Sequence, residues 1–379
     1  MTEIQGRCDE QFAPVRDAFA TNFSKRNEVG ASVCVAIDGE VVVDLWGGFA
    51  DEDRTAPWTA DTIVNVYSTT KTMSFLCVLV LADRGEIDLH APVARYWPDF
   101  AAEGKDGIEV RHLLSHSAGL PTWDQRLEPT ELADHRRAAA LLAAQAPRWA
   151  AGTKSGYHAV TQGNLLGEVV ERVTGRSLGT FFREEIAEPL GADFHIGLPA
   201  EHDDRVGEMI PPGVVLGEGR DSSGGESGAS LVNPVLDALE PRETWWRRAE
   251  IPAAGGIGNA RSVARVHAMT AGGGEVDGIR LLSPEGVEAI FEEQTYGTDI
   301  VLGVPMRYGM GFGLTSPDTP VSPNPRTCFW GGWGGSMVVA DLDANMSFAY
   351  VMNRMEATLT GDSRGAALLL STLGVLAAD

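Results

Sequence analysis

The chain has 379 residues, more than one hydrophobic core usually organises, so two domains or one domain with a large insertion are expected. Its hydrophobic content of 44% and charged content of 22% are ordinary for a soluble globular protein. The 30 lysines and arginines against 53 aspartates and glutamates give a formal net charge of -23, which argues against nucleic acids and anionic membranes as partners, because both are bound mainly by cationic surfaces.

The first predicted element is a β-hairpin. Residues 31–37 and 40–46 alternate in the manner of strands. Asp38-Gly39 separates the two runs, and this dipeptide favours the two-residue type I′ turn that joins antiparallel strands. An antiparallel sheet is therefore expected to begin here.

A serine and a lysine three residues apart open the next element. On a helix these positions share a face, so the amine of Lys71 can reach the hydroxyl of Ser68. Residues 73–81 are almost wholly apolar, which predicts a helix buried in the core. Burial lowers the pKa of a lysine, and a neutral lysine can take the serine proton. The pair is therefore predicted to be a nucleophile with its own base.

Helix signals dominate from about Leu113 to Leu190 and include residues 164–173, a run that Thr174-Gly175 closes. Just before it, Tyr157 in Gly156-Tyr157-His158-Ala159 lies at an element boundary. If its hydroxyl reaches Ser68, it can relay a proton to a leaving group. A tyrosine at a helix start is also commonly a packing residue, and this alternative stays open.

Ser177 lies in a second serine motif, Gly175-Arg176-Ser177-Leu178-Gly179, which matches the G-x-S-x-G pattern of α/β-hydrolases. That nucleophile elbow requires a strand before the serine, whereas the preceding residues predict a helix. Ser177 also fits as the N-cap of a helix over 178–188. The motif is therefore interpreted as structural.

The second half of the chain begins with an irregular segment and ends in strands. Residues 200–245, rich in Gly, Pro and Ser, predict a long loop of the kind that forms a lid or pocket wall. Three strands followed by a last helix are predicted at 327–330, 336–340, 346–352 and 360–376. Sheet at both ends predicts a discontinuous α/β domain, 1–105 with 250–379, and a mainly helical inserted domain, 106–249.

A glycine-rich run, Phe329-Trp330-Gly331-Gly332-Trp333-Gly334-Gly335-Ser336, follows the first of these strands. Glycines let backbone N–H groups approach a ligand closely, so the run can supply half of an oxyanion hole, with the N–H of Ser68 as the other half. A glycine-rich hairpin turn flanked by core tryptophans is the equally weighted alternative.

Taken in order, Ser68-x-x-Lys71, Tyr157-x-Ala159 and Trp330-Gly331-Gly332 resemble the motifs of the serine β-lactamase and penicillin-binding-protein superfamily, and most of all the family VIII carboxylesterases. The resemblance implies the class C β-lactamase-like α/β (α+β) fold, an antiparallel sheet flanked by helices. It also implies that Ser68 is acylated, that Lys71 and Tyr157 transfer its proton, and that the N–H groups of Ser68 and Trp333 form the oxyanion hole. Which of Lys71 and Tyr157 is the base stays open.

Two departures from the superfamily motifs bear on the substrate. Ala159 stands where class C β-lactamases carry asparagine, and Trp330 stands where they carry the lysine of Lys-Thr-Gly. Both losses favour neutral esters over β-lactams. The predicted function is a cofactor-free serine carboxylesterase acting on small, short-chain esters, with a β-lactamase, D-amino peptidase or acyltransferase, or an inactive binding module, as alternatives.

The remaining expectations concern the pocket, metals and location. The predicted pocket residues are Trp330, Gly331, Gly332, Trp123, Trp245, Trp246 and Ala159. The eight histidines form no H-E-x-x-H pattern, so no metal is expected, and His112 and His116 are predicted to hydrogen-bond backbone in a loop-forming segment. The four scattered cysteines are interpreted as buried thiols and not as disulfides. No run of about eighteen apolar residues occurs, and a cytoplasmic location is expected. A homo-oligomer is left open.

Overall fold

The computed structural model of the chain describes residues 2–212 and 233–378. Of the irregular segment predicted at 200–245, residues 213–232 lie outside the described residues. Its described flanks contain short 3-10 helices at Ala200–Arg205 and Glu240–Arg242.

The helices and strands are numbered in chain order. The described strands are β1 (Ile4–Cys8), β2 (Gly30–Ile37), β3 (Glu40–Gly48), β4 (Val64–Asn65), β5 (Phe194–Ile196), β6 (Gly256–Gly258), β7 (Glu275–Val276), β8 (Ile279–Arg280), β9 (Thr295–Thr298), β10 (Pro305–Tyr308), β11 (Gly313–Leu314), β12 (Thr327–Gly331), β13 (Met337–Asp341) and β14 (Met346–Met352). The described helices are α1 (Ala13–Lys25), α2 (Thr70–Asp83), α3 (Val110–Leu114), α4 (His135–Ala144), α5 (Thr161–Thr174), α6 (Leu178–Phe182), α7 (Glu188–Leu190), α8 (Thr244–Arg248), α9 (Ala260–Ala271), α10 (Pro284–Glu288) and α11 (Ser363–Leu376).

One antiparallel sheet of nine strands organises the fold, in the order β1-β3-β2-β14-β13-β12-β11-β10-β9. The predicted β2–β3 hairpin is confirmed: Ile37 pairs with Glu40, and Asp38 and Gly39 have φ values of 50° and 81°, as a type I′ turn requires. Because β14 pairs with β2, the two ends of the chain meet in the middle of the sheet. The expected antiparallel sheet flanked by helices is confirmed.

Helices cover both faces of this sheet. Ser347 of β14 donates its hydroxyl hydrogen bond to Ala264 O of α9, 2.9 Å away. Tyr350, which points to the other face because side chains alternate along a strand, packs against Gly365 of α11. The central strands are therefore buried on both sides, which explains their apolar composition.

The nine-stranded sheet takes all its strands from 1–105 and 250–379, while α3–α8 lie within 106–249. A second, three-stranded sheet links the two parts, because β5 pairs with β6 and β6 pairs with β4. The division into two domains at these boundaries stays a prediction.

Two details of the sequence prediction are wrong. The last helix begins at Ser363 and not at residue 360, because the side chain of Asp362 caps it by accepting hydrogen bonds from the backbone N–H groups of Arg364 and Gly365. His112 lies inside the short helix α3 and not in a loop, since Glu109 and His112 form a capping box at its start.

Within 2–212 and 233–378, no helix is both long enough and apolar enough to cross a membrane.

A buried ion cluster joins the start of β2, helix α11 and the turn after β12. Arg364 donates to Glu28 at 2.9 Å, to Asp362, and to the carbonyl oxygen of Gly334 at 3.1 Å. Tyr350 donates its hydroxyl hydrogen bond to Glu28. Burial raises the pKa of Glu28 to about 7, although the charge of Arg364 opposes this. Arg364 therefore neutralises the buried carboxylate of Glu28 and also holds the turn at Gly334 through a hydrogen bond.

Replacing Arg364 with methionine should lower the free energy of unfolding by about 3 kcal/mol or more, because Glu28 is left buried without a cation. The loss should be greatest above about pH 7 and shrink as the pH falls toward 7, because the pKa of Glu28 is about 7 beside Arg364 and rises further without the cation, so that Glu28 in the variant stays protonated to a higher pH. Urea denaturation at several pH values measures both effects. The control is Arg326→Met: Arg326 is half exposed and pairs with Asp343, which is also partly exposed, so the cost should be about 1 kcal/mol or less. Equal losses in the free energy of unfolding for the two variants would contradict the proposed role of Arg364 as the partner of a buried charge.

Candidate active site

Ser68 lies at the junction between a strained backbone residue and a buried helix. Tyr67, the preceding residue, has φ of 45°, an unfavourable value for an aromatic residue. Its side chain is held by a hydrogen bond from its hydroxyl to Ala238 O at 3.0 Å and by the ring of Trp333, 5.0 Å away. The residues Tyr67–Thr69 form a 3-10 turn that leads into α2. This turn places the Ser68 side chain at the helix start.

Lys71 is fully buried in the first turn of α2. Its Nζ lies 3.1 Å from Ser68 Oγ, 2.7 Å from Ala159 O and 2.9 Å from Ala253 O. Burial lowers the pKa of Lys71 well below the ordinary value of 10.5. A neutral amine has two N–H groups and one lone pair. The two carbonyl oxygens accept the two N–H groups, so the lone pair is left for the hydroxyl of Ser68.

Tyr157 approaches the same oxygen from the loop that precedes α5. Its hydroxyl donates a hydrogen bond to Ser68 Oγ at 2.6 Å. Burial raises the pKa of Tyr157, so the phenol keeps its proton at neutral pH. Lys71 Nζ also lies 4.8 Å from the centre of the Tyr157 ring. The structure thus brings together the three side chains that the sequence singled out, with Ser68 Oγ between an amine and a phenol.

Asp299 fixes the position of Tyr157 and was not indicated by the sequence. Its Oδ1 accepts hydrogen bonds from the backbone N–H groups of Tyr157 at 3.0 Å and of Val301 and Leu302 at 2.9 Å. Its Oδ2 accepts one from the hydroxyl of Tyr308 at 3.1 Å. An aspartate in a loop carries no local signal for a contact across 142 residues. The carboxylate is completely buried, so its loss would leave several donors unpaired.

An aromatic cluster lies behind Tyr157. The indole of Trp330 stacks on His116, with ring centres 5.5 Å apart, and packs 6.0 Å from the rings of both Tyr157 and Tyr308. Burial lowers the pKa of His116 well below its usual value, and burial lowers that of His158 to about 3. Both rings are therefore neutral at pH 7.

These neutral histidines serve as backbone acceptors. His116 Nδ1 accepts from the backbone N–H of His158 at 3.0 Å, and His158 Nε2 accepts from that of Leu120 at 3.0 Å. His112 Nδ1 likewise accepts from the backbone N–H of Glu109 at 3.0 Å. The prediction that His112 and His116 bond backbone is confirmed.

The glycine-rich turn after β12 packs directly against the backbone around Ser68. A Cβ on Gly332 would lie 2.2 Å from Val66 O, so only glycine fits there. Ser336, at the end of the turn, donates to Val66 O at 2.8 Å and lies 2.9 Å from Thr69 Oγ1. The turn is therefore clamped to both sides of Ser68, and it carries Trp333 beside Tyr67.

The predicted pocket residues fall into two groups. Four tryptophans pack around the residues next to Ser68: Trp246 lies 6.4 Å and Trp333 5.0 Å from Tyr67, Trp330 lies 6.0 Å from Tyr157, and Trp245 packs on Trp246 at 5.6 Å. Trp123 is buried, and its indole N–H donates to Ala138 O of α4 at 2.8 Å.

The small predicted pocket residues have backbone roles. Ala159 supplies the carbonyl oxygen that binds Lys71. Gly331 lies so close to Thr360 that a Cβ would be 2.5 Å from its carbonyl carbon. Both residues therefore hold the backbone around the site in place.

The second serine motif has a different environment. Ser177 accepts a hydrogen bond from the backbone N–H of Thr180 at 3.3 Å and so caps α6. Its hydroxyl donates to Glu250 at 2.6 Å. The helical stretch predicted after it is present, through α6, a π-helical turn at Arg183–Ala187 and α7. The interpretation as a helix cap is confirmed.

Side chains that could hold a metal ion come together elsewhere. His135 of α4 lies beside Glu168 and Glu171 of α5. No sequence pattern indicated this group, because His135 lies 33 residues before Glu168 and only the contact between α4 and α5 brings it to the two glutamates. The expectation that the chain binds no metal stays a prediction.

Known proteins are similar to this chain over most of its length. A family model described as Beta-lactamase matches residues 15–371. The protein named Esterase/beta-lactamase LipL, from Mycobacterium tuberculosis (strain ATCC 25618 / H37Rv), is 39% identical over 370 residues, which cover 94% of this chain and 84% of LipL.

Two solved structures share the whole fold. A family VIII carboxylesterase matches with a TM-score of 0.92 and 45% identity, covering 98% of this chain and 100% of that one. A penicillin-binding protein homologue from Caulobacter crescentus matches with a TM-score of 0.91 and 39% identity, over 98% of this chain and 100% of that one.

Proposed function

The chain belongs to the beta-lactamase family, and on that premise we propose that it is a serine carboxylesterase that hydrolyses short-chain esters through an acyl-enzyme on Ser68. The observation that carries the proposal is the pair of contacts to Ser68 Oγ, 3.1 Å from the amine of Lys71 and 2.6 Å from the phenol of Tyr157. The resemblance to a family VIII carboxylesterase and to a relative named esterase supports the choice of ester chemistry.

Acylation begins with the proton of Ser68. Neutral Lys71 accepts this proton while Ser68 Oγ forms a bond to the ester carbonyl carbon. The resulting oxyanion is bound by the backbone N–H groups of Ser68 and Trp333, which the clamped glycine turn holds in place. Lys71, and not Tyr157, is assigned as the base because burial favours the neutral form of both groups, and a neutral amine is a far stronger base than a neutral phenol.

Collapse of the intermediate releases the alcohol. The phenol of Tyr157 donates its proton to the alkoxy oxygen as the carbon–oxygen bond breaks. The ammonium of Lys71, on the other side of Ser68 Oγ, then returns a proton to Tyr157. Water then takes the place of the alcohol and attacks the acyl carbon, with the proton transfers reversed, to release the acid and restore Ser68. Apart from the ester, these steps use only side chains and backbone N–H groups of the chain and one water molecule.

The substrate class follows from the walls of the site. Trp330 and Ala159 supply neither the cation nor the amide that a β-lactam would use, and a buried carboxylate without such partners is unfavourable. A neutral ester needs neither, and its acyl chain gains about 25 cal/mol for each Å² buried against aromatic rings. A β-lactamase is the second candidate, favoured by the double name of the LipL relative.

We also propose that the enzyme works in the cytoplasm on a small-molecule ester. Support comes from the four cysteines, which are free thiols in the described structure, three of them buried. Assembly into a homo-oligomer stays a prediction.

Replacing Ser68 with alanine should abolish ester hydrolysis, whereas Ser177→Ala should leave kcat/KM nearly unchanged, because only Ser68 contacts a base. Hydrolysis of p-nitrophenyl butyrate and intact-mass detection of an acyl adduct provide the measurements. Circular dichroism of both variants checks that the fold is retained. Equal losses of activity in two folded variants would remove Ser68 from its proposed role.

Proton transfer should show in the pH dependence. Because only neutral Lys71 accepts a proton, kcat/KM should fall on the acid side, at a pH well below 10.5 since burial lowers the pKa of Lys71. Lys71→Ala and Tyr157→Phe should each lower kcat by about a hundredfold or more, and the double variant should lose little beyond either single one.

The same profile tests which residue is the base. The residual activity of Tyr157→Phe should keep the acid-side midpoint of the wild type, since that midpoint belongs to Lys71. A Tyr157→Phe enzyme without any acid-side fall would instead assign the base to Tyr157. Full activity of this variant would make Tyr157 a packing residue.

Substrate preference separates the two candidate functions. The value of kcat/KM for p-nitrophenyl butyrate should exceed that for ampicillin by orders of magnitude, since Trp330 leaves the carboxylate of the antibiotic without a cation. Both substrates are measured in one buffer, with Ser68→Ala as the control that any turnover arises at this serine. Comparable values for the two substrates would favour the β-lactamase.

A further inference from the structure

Helix α5 presents a row of polar side chains to the start of α4. Asn164, Glu168 and Glu171 are spaced at i, i+4 and i+7 and so share one helix face. His135, the first residue of α4, lies against this face. One ligand atom from each of His135, Glu168 and Glu171 lies within 4.8 Å of the others. This trio is called the His135 group below.

The imidazole of His135 is accommodated by a glycine. A Cβ on Gly167 would lie 2.7 Å from Cε1 of His135, so a larger residue at 167 would push the ring off α5. Asn164 lies at the inner edge of the ring, with its Nδ2 3.3 Å from Nδ1. A metal-binding Nε2 requires the ring proton on Nδ1, and a turn of the Asn164 amide that presents its oxygen would accept that proton and orient the ring.

The outer nitrogen of the same ring is unpaired. His135 Nε2 is buried and has no hydrogen-bond partner in the described part of the chain. Glu168 Oε2 lies 3.7 Å away, too far for a hydrogen bond. A buried nitrogen without a partner is unfavourable, and a shared cation would satisfy both atoms.

Each glutamate is already oriented by an arginine. Arg172 donates to Oε1 of Glu168 at 2.7 Å, and Arg136 donates to Oε1 of Glu171 at 2.7 Å. In Glu168 this leaves Oε2 as the oxygen that faces His135. Each arginine thus holds Oε1 of its glutamate in place and leaves Oε2 for another partner.

We propose that the His135 group binds one divalent transition-metal ion, with zinc as its representative. One imidazole and two carboxylates form a ligand set that zinc accepts, with a fourth position left for water. Tetrahedral bonds of the usual length place ligand atoms about 3.4 Å apart. The 3.7 Å between His135 and Glu168 is close to this value, and rotation of Glu171 brings the third ligand in.

The fourth position has a route to solvent. Glu168 and Glu171 line a cavity of about 1000 Å³, together with Trp97 and small residues of α4 such as Ala140 and Ala143. Ser68, Lys71 and Tyr157 are not among its lining residues, so the ion is separate from the ester site. Its effect would be to clamp α4 to α5, and an ion that binds only the folded state raises its stability.

Zinc titration of the full-length protein after removal of metal tests the proposal. Isothermal titration calorimetry should give one tight zinc ion per chain. His135→Ala and Glu171→Gln should each weaken this binding at least tenfold, since each loses a ligand. The melting temperature should rise with zinc in the wild type and not in these variants.

The matched control is His202→Ala. The ring centre of His202 lies 4.7 Å from that of His195, and His195 bonds Asp193. The substitution therefore removes a histidine from a different cluster of histidines and carboxylates. This variant should bind zinc as the wild type does, and all variants should keep wild-type ester hydrolysis, which reports folding. If His135→Ala does not fold, Glu171→Gln decides. No tight zinc in the wild type, or binding that is lost in His202→Ala and kept in Glu171→Gln, overturns the proposal.

Discussion

The buried amine of Lys71 is the constraint on which the site depends. Its contacts to Ala159 O and Ala253 O tie three distant segments together: α2, the loop before α5, and the segment before β6. Gly163 makes this possible, because a Cβ there would lie 2.5 Å from the backbone nitrogen of Ala253. A protonated lysine would be costly in this place, whereas a neutral one satisfies both carbonyls and keeps a lone pair. The packing that buries the amine therefore also favours its neutral form, which is the form that the proposed mechanism uses as the base.

The opposite wall of the site depends on the chain ends. The turn that carries Trp333 is clamped to Val66 and Thr69 by Ser336, and it is held from behind by Arg364 through Gly334 O. Arg364 in turn needs Glu28, from just before β2. The nucleophile lies on an internal helix, but the proposed oxyanion turn is fixed by residues near both termini. The pairing of β2 with β14 therefore also helps to position the turn that carries Trp333.

Local patterns in the sequence predicted what local geometry decides. Asp38-Gly39 predicted the β2–β3 hairpin because this dipeptide favours a type I′ turn. The spacing of Ser68 and Lys71 predicted their contact because residues three apart share one face of a helix. Contacts across long stretches had no such signal: Asp299 reaches Tyr157 across 142 residues, and Arg364 reaches Glu28 across 336. A pattern of burial also does not say which core a residue joins. Trp123 and Trp330 therefore looked alike in sequence, although one packs on α4 and the other on Tyr157.

The tryptophan at 330 links substrate choice to the division of proton roles. A lysine in its place would put a cation near Tyr157 and so favour the phenolate, which is the form that acts as a base. The cluster of Trp330 with the neutral rings of His116 and Tyr308 supplies no positive charge, and burial then keeps the phenol protonated. In the proposed mechanism Tyr157 is consequently an acid for the departing alkoxide, and Lys71 is left as the base. Tryptophan instead of lysine at position 330 therefore disfavours an anionic substrate and, in the proposed mechanism, also makes Lys71 the base and Tyr157 the acid. Both effects follow from the absence of a positive charge at this position.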